Sequence, residues 1–151
     1  MKIFLKQVPG LQEPEIEIKY SEIDNEIDSL VRYIQNNDSY IYGEENGRKC
    51  KLRASTIYYI ESVDKQTFIY TDKNVYHSSL RLYQLAGQLK RLDFVQISKS
   101  CILNLNMLED IQTLKNSRLE ATLLNGEKLH VSRTYIKKIK DALSAEGEHL
   151  V

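Results

Sequence analysis

The chain has 151 residues, room for one domain with a real core and a short extra lobe. Its 42% hydrophobic and 28% charged residues describe an ordinary soluble globular protein, and its formal net charge is zero. No apolar run approaches a membrane span, and the start lacks the basic-then-apolar layout of a signal peptide, so a cytoplasmic location is expected.

The zero hides an asymmetry. Residues 1–50 carry 6 Lys and Arg against 10 Asp and Glu, a net of −4, and residues 51–151 carry 15 against 11, a net of +4. An acidic element therefore precedes a mildly basic one. Plus four is modest for a nucleic-acid binder, but the local placement of charge matters more than its sum.

Residues 2–8 (KIFLKQV) and 15–20 (EIEIKY) alternate polar and apolar and predict two half-buried strands around a Pro9-Gly10 turn. The period then changes. Ile23, Ile27, Leu30, Val31 and Ile34 form one helical stripe, with Ser21 as a plausible N-cap and acids at 22, 24, 26 and 28 where the helix dipole favours them. Asn36-Asn37-Asp38 should end that helix, completing an acidic β-β-helix lobe over residues 1–45.

From residue 39 the chain turns to strands. Residues 39–45 and 48–53 flank Asn46-Gly47, a two-residue hairpin signal, and 57–63 and 66–71 flank Asp64-Lys65. A short strand at 75–77 leads to a helix over 79–91, with Leu82, Leu85, Ala86 and Leu89 on one face and Leu80 and Tyr83 widening it. Residues 108–114 and 118–124 predict another hairpin, with Leu119, Ala121 and Leu123 inward. Asn125-Gly126, a strand over 128–132 and a helix over about 134–143 close the pattern. The fold class is mainly β (α+β): antiparallel sheets carrying three short helices.

The stretch 93–104, DFVQISKSCILN, sits at the centre of this order. Apolar residues flank Ser98-Lys99-Ser100, with no Gly or Pro to make a hairpin. On extended chain Ser98 and Ser100 share a face and Lys99 opposes them. Hydroxyls and an ammonium there suit phosphate oxygens and base edges. The same residues also fit a plain surface loop beside an edge strand.

Enzymatic signatures such as G-x-G-x-x-G, G-x-x-x-x-G-K-[ST], H-E-x-x-H and G-x-S-x-G are absent, and nothing sets His130 beside Ser98 or Cys101 as a base. The two cysteines, Cys50 and Cys101, and three scattered histidines make no metal-binding spacing, so neither metal nor cofactor is expected. The cations are more informative. Lys65 marks a hairpin tip, Lys99 the central connection, and Arg133, Lys137, Lys138 and Lys140 the last strand-to-helix junction, where helix amides favour anions. Arginine can take two acceptors on a guanine edge; lysine acts as a point charge on phosphate. Lys140 reads as a solubilising side chain.

The ordered set IYYIES (57–62), SLRLYQLAGQL (79–89), FVQISKSCILNLNMLEDI (94–111), LLNGEKLHVSR (123–133) and TYIKKIKDAL (134–143) resembles the LytTR DNA-binding domain. The likeness covers roughly residues 46–145 and places such a domain at 46–147. It implies a bacterial transcription regulator with an elongated stack of small antiparallel sheets and short helices. Such proteins insert loops, rather than a recognition helix, into successive grooves of double-stranded DNA. By position, the contacts implied are Asp64, Lys65, Gln66 and Thr67; Ser98, Lys99 and Ser100; and Arg133, Thr134, Lys137 and Lys138. Asn104 matches the family's asparagine after the central strand and reads as structural.

The resemblance also implies a homodimer on paired direct repeats and, for stand-alone members, a small membrane protein that restrains them. There are departures. The leading 45 residues are too few for the receiver domain of many relatives, which argues against phosphorelay control. Ser98-Lys99 stands where relatives often have His-Arg or His-Asn, and Thr134 where some have a basic or amide residue; both bear on the target sequence. Two other readings stay open. One is a protein-interaction module docking through the acidic helix 22–36; the other is a small-ligand sensor.

Overall fold

The computed structural model describes residues 1–145. The first 24 residues contain neither strand nor helix. The expected turn is there, with Gly10 at φ 87° and the Leu11 amide donating to the Val8 carbonyl at 3.3 Å. The strands expected at 2–8 and 15–20 are not formed. A lone two-stranded hairpin is marginal in water, and among the described residues no third strand lies beside them.

Helix α1 is Asn25–Asp38. Its N-cap is Asp24 rather than Ser21, because the Asp24 carboxylate accepts from the Ile27 amide at 2.9 Å. The later start leaves Ile23 outside the helix and exposed. At the far end the Ser39 hydroxyl donates to the Gln35 carbonyl at 2.9 Å, carrying the helix through Asp38. Arg32 pairs with Asp28 on α1 and reaches the buried Asp93 at 3.7 Å, tying the helix to the body.

Ten strands follow: β1 Tyr40–Glu45, β2 Arg48–Arg53, β3 Ile57–Val63, β4 Gln66–Thr71, β5 Val75–Ser78, β6 Phe94–Ser98, β7 Cys101–Asn104, β8 Leu108–Thr113, β9 Leu119–Leu123 and β10 Lys128–Val131. They form a seven-stranded antiparallel sheet in the order β2-β1-β5-β4-β3-β7-β6 and a three-stranded sheet β10-β9-β8. The β1–β2 turn uses Asn46 and Gly47, both at positive φ (51° and 75°), as a two-residue hairpin requires. Strand β2 is the open edge of the large sheet. Its Lys49 and Lys51 ammonium groups lie 4.9 and 4.2 Å from the rings of Tyr42 and Tyr40.

Helix α2, Leu82–Gln88, is shorter than the 79–91 expected. Residues 79 and 80 bend the chain off β5, and the Arg81 amide starts the helix by donating to the Gln84 side chain at 2.8 Å. Leu85 and Leu89 are buried, but Tyr83 is exposed rather than part of the packed face. Helix α3 is Ile136–Ala145, preceded by a 3₁₀ turn at Arg133–Tyr135.

Period-2 alternation, shifted once by an irregularity in β3 between Ile57 and Tyr59, divides the core between the two faces of the large sheet. Ile57, Ile60, Ile69 and Ile102 face α2. Tyr59, Val95, Ile97 and Leu103 face Leu119, Ala121 and Leu123 of the small sheet and Ile139 and Leu143 of α3. Asn104, fully buried at the end of β7, locks these layers: its amide donates to the Ile57 carbonyl at 2.7 Å and its oxygen accepts from the Asn106 amide at 3.0 Å.

Candidate nucleic-acid interface

Three loops distant in sequence adjoin at one end of the large sheet. Strand β3 lies between β4 and β7 and leads directly into the Asp64-Lys65 turn. On its other side the chain reverses between β6 and β7 through Lys99-Ser100. The Ser62 amide donates to the Ser100 carbonyl at 2.8 Å, which joins the two turns. Beyond them the Ser132 amide donates to the Ile97 carbonyl at 2.9 Å, so the strand-to-helix junction abuts the same end of β6.

The β6–β7 hairpin forms without the Gly or Pro whose absence argued against one. The Ser98 hydroxyl supplies the missing contact, accepting from the Ser100 amide at 3.2 Å, with the two serine hydroxyls 3.4 Å apart. They share a side, as the spacing suggested, and both are half-buried; Lys99 is exposed.

In the Asp64-Lys65 turn both residues have positive φ, 50° and 65°, a region that costs a side chain with a Cβ about 1–2 kcal/mol. The Lys65 side chain is held out in solvent, and Gln66, first in β4, is exposed beside it. Thr67 differs: at 2% exposure, between Ser62 and Ser78 on flanking strands, it supports the turn from below.

Arg133, Thr134, Lys137 and Lys138 are all exposed where α3 begins. The Tyr135 amide donates to the Ser132 carbonyl at 2.8 Å and sets the bend there. Lys137 and Lys138 sit in the first turn of α3, which contains no acid, against the preference of the helix dipole. Helix α1, with Asp24, Glu26 and Asp28, obeys that preference. Ile139 and Leu143 hold α3 against the core, so these cations belong to its outer side.

One cation of this rim was not legible as such. The Arg81 guanidinium donates to the Lys65 carbonyl at 3.0 Å, which extends the row to the β5 side. In sequence it is merely the arginine before a helix, 16 residues from its partner. Cys101, beneath the rim, is a packing residue. Burial pushes its thiol up to about 12, far from a nucleophile's range.

Among the described residues no helix is long and apolar enough to cross a membrane, and no cluster of three His, Cys, Asp or Glu could hold a metal.

The family model of the LytTr DNA-binding domain matches residues 47–144. Among curated proteins, the chain is 33% identical over 87 residues to the sensory transduction protein LytT of Enterococcus faecalis, covering 58% of this chain and 36% of that one. It is 27% identical over 143 residues to LytT of Bacillus cereus, covering 95% of this chain and 54% of the relative. An HTH-type transcriptional regulator of Staphylococcus aureus is 30% identical over 93 residues, covering 62% and 63%. The chain thus spans less than two thirds of each of these relatives. The solved structure of a LytTr DNA-binding domain from Bacillus cereus superposes with a TM-score of 0.66 at 22% identity, over 70% of this chain and 96% of that one. The match over most of the chain, with the same fold, makes this protein a member of the LytTr DNA-binding domain family.

Proposed function

We propose that this protein binds double-stranded DNA sequence-specifically through the rim Arg81, Lys65, Lys99 and Arg133, and that it regulates transcription without catalysis. The observation that carries this reading is the pair of backbone bonds, Ser62 to Ser100 and Ser132 to Ile97, that join the three loops. Strands lie about 4.8 Å apart, so the Lys65 turn and the Ser132 junction are separated by three and a half spacings, about 17 Å. That is half of the roughly 34–36 Å repeat of the duplex, the step from one groove to the next along one side. Arg133 reads a base edge; Lys65, Lys99, Lys137 and Lys138 hold phosphates.

The names of the relatives, sensory transduction protein and transcriptional regulator, support the wider role. In this reading the protein works in the cytoplasm as a homodimer on paired direct repeats, restrained by a small membrane protein. The test is selection of bound fragments from random duplexes, followed by titration of the winning site. Arg133→Ala should weaken that site by about 1–3 kcal/mol, roughly 5- to 150-fold, and relax one base position. Unchanged affinity and sequence preference would overturn the assignment. Binding with no salt dependence would favour the protein-interaction reading instead.

A further inference from the structure

Of the sixteen exposed large hydrophobic residues among those described, nine lie in residues 1–23. Ile3, Phe4 and Leu5 are 80%, 87% and 95% exposed and Ile16 is 67% exposed, although residues 15–20 carry the alternation of a half-buried strand. A segment of this pattern buries its apolar side chains when it acquires a neighbouring strand.

The sequence specifies which neighbour. Residues 16–20 read Ile-Glu-Ile-Lys-Tyr. Laid antiparallel on a second copy about Ile18, the run is its own complement. Ile18 then faces Ile18, Ile16 faces Tyr20, and Glu17 faces Lys19 from each side, all favourable cross-strand pairs. In the single chain Glu17 and Lys19 already share a side, 3.8 Å apart and both largely exposed. Residues 2–8 add outside this pair through the Pro9-Gly10 turn. Two copies then supply four strands, passing the three that a stable sheet requires.

We infer that residues 15–20 form the two-fold centre of an intermolecular antiparallel sheet joining two copies of this chain. Each surface meets itself, as an isologous contact demands. The segment lies outside residues 47–144, so the contact is separate from the DNA-binding domain and does not rest on the DNA reading.

Sedimentation of the full chain without DNA tests this. The wild type should run at twice the monomer mass. Lys19→Glu sets like charges opposite each other and should shift it to monomer, and adding Glu17→Lys should restore the dimer. Amide exchange should protect residues 15–20 only in the dimeric forms. A monomeric wild type would overturn the inference, whether or not its leading segment is protected by docking on its own β2 edge. So would a dimer indifferent to Lys19→Glu, or one that the double exchange fails to restore.

Discussion

The amide of Ser62 and the carbonyl of Ser100 meet at 2.8 Å, and this one bond sets the Lys65 turn beside the Lys99 turn. It is a main-chain contact. The spacing of the rim is therefore fixed by sheet pairing and does not depend on which side chains stand above it.

Lys137 is exposed in the first turn of α3, where only its charge has a partner to gain. Lys137→Ala should weaken binding to all duplexes alike and reduce the salt slope by about one unit. Titrations at several salt concentrations, on a selected site and on mixed-sequence DNA, measure both effects. A loss confined to the selected site would show base readout instead.

Lys65 separates stability from binding. With φ at 65°, Lys65→Gly should relieve left-handed strain and raise unfolding stability by about 1 kcal/mol. The same change removes a rim cation and should weaken DNA binding. Melting curves and titrations of one sample check that the two move in opposite directions.

Asn104→Ala should cost about 3 kcal/mol, because it strands the buried Ile57 carbonyl and removes the acceptor of the Asn106 amide. The denaturant midpoint reads that loss. Half-buried Asn37, whose side chain donates to the Tyr33 carbonyl within its own helix, is the control and should change little when cut to Ala.

Alkaline pH offers a check on Cys101. Its thiol ionises near 9.0 when unfolded, but burial holds the folded group up to about 12. Between those values the unfolded chain gives up a proton that the folded chain keeps, so stability is intact below pH 9 and falls as pH rises toward 12. Cys101→Ser should remove the part of the slope that begins near 9. The part due to Tyr59 and Tyr70, raised from 10.0 mainly by burial, should remain.

Much of this could be read from the chain because local and global preferences agree. Asn46-Gly47 satisfies its turn, and Leu119, Ala121 and Leu123 face inward as alternation requires. The failures have physical causes. Residues 2–8 and 15–20 were expected as strands but pair with neither sheet of the chain. The turn after Ser98 needed no glycine because a hydroxyl satisfied its amide. Thr67 and Arg81 could not be sorted by sequence, since one is covered by flanking strands and the other is aimed by a carbonyl 16 residues away. Lys65, Lys99 and Arg133 were found as isolated cations, and the backbone bonds between their loops make them neighbours.

Strand β2 has a consequence for behaviour at high concentration. Arg48, Lys49, Lys51 and Arg53 load the uncovered margin of the large sheet with four positive charges in six residues. Two such margins brought together would repel along their whole length, which discourages open-ended fibre growth. Growth by strand addition is disfavoured there, so copies that associate must meet elsewhere on the chain.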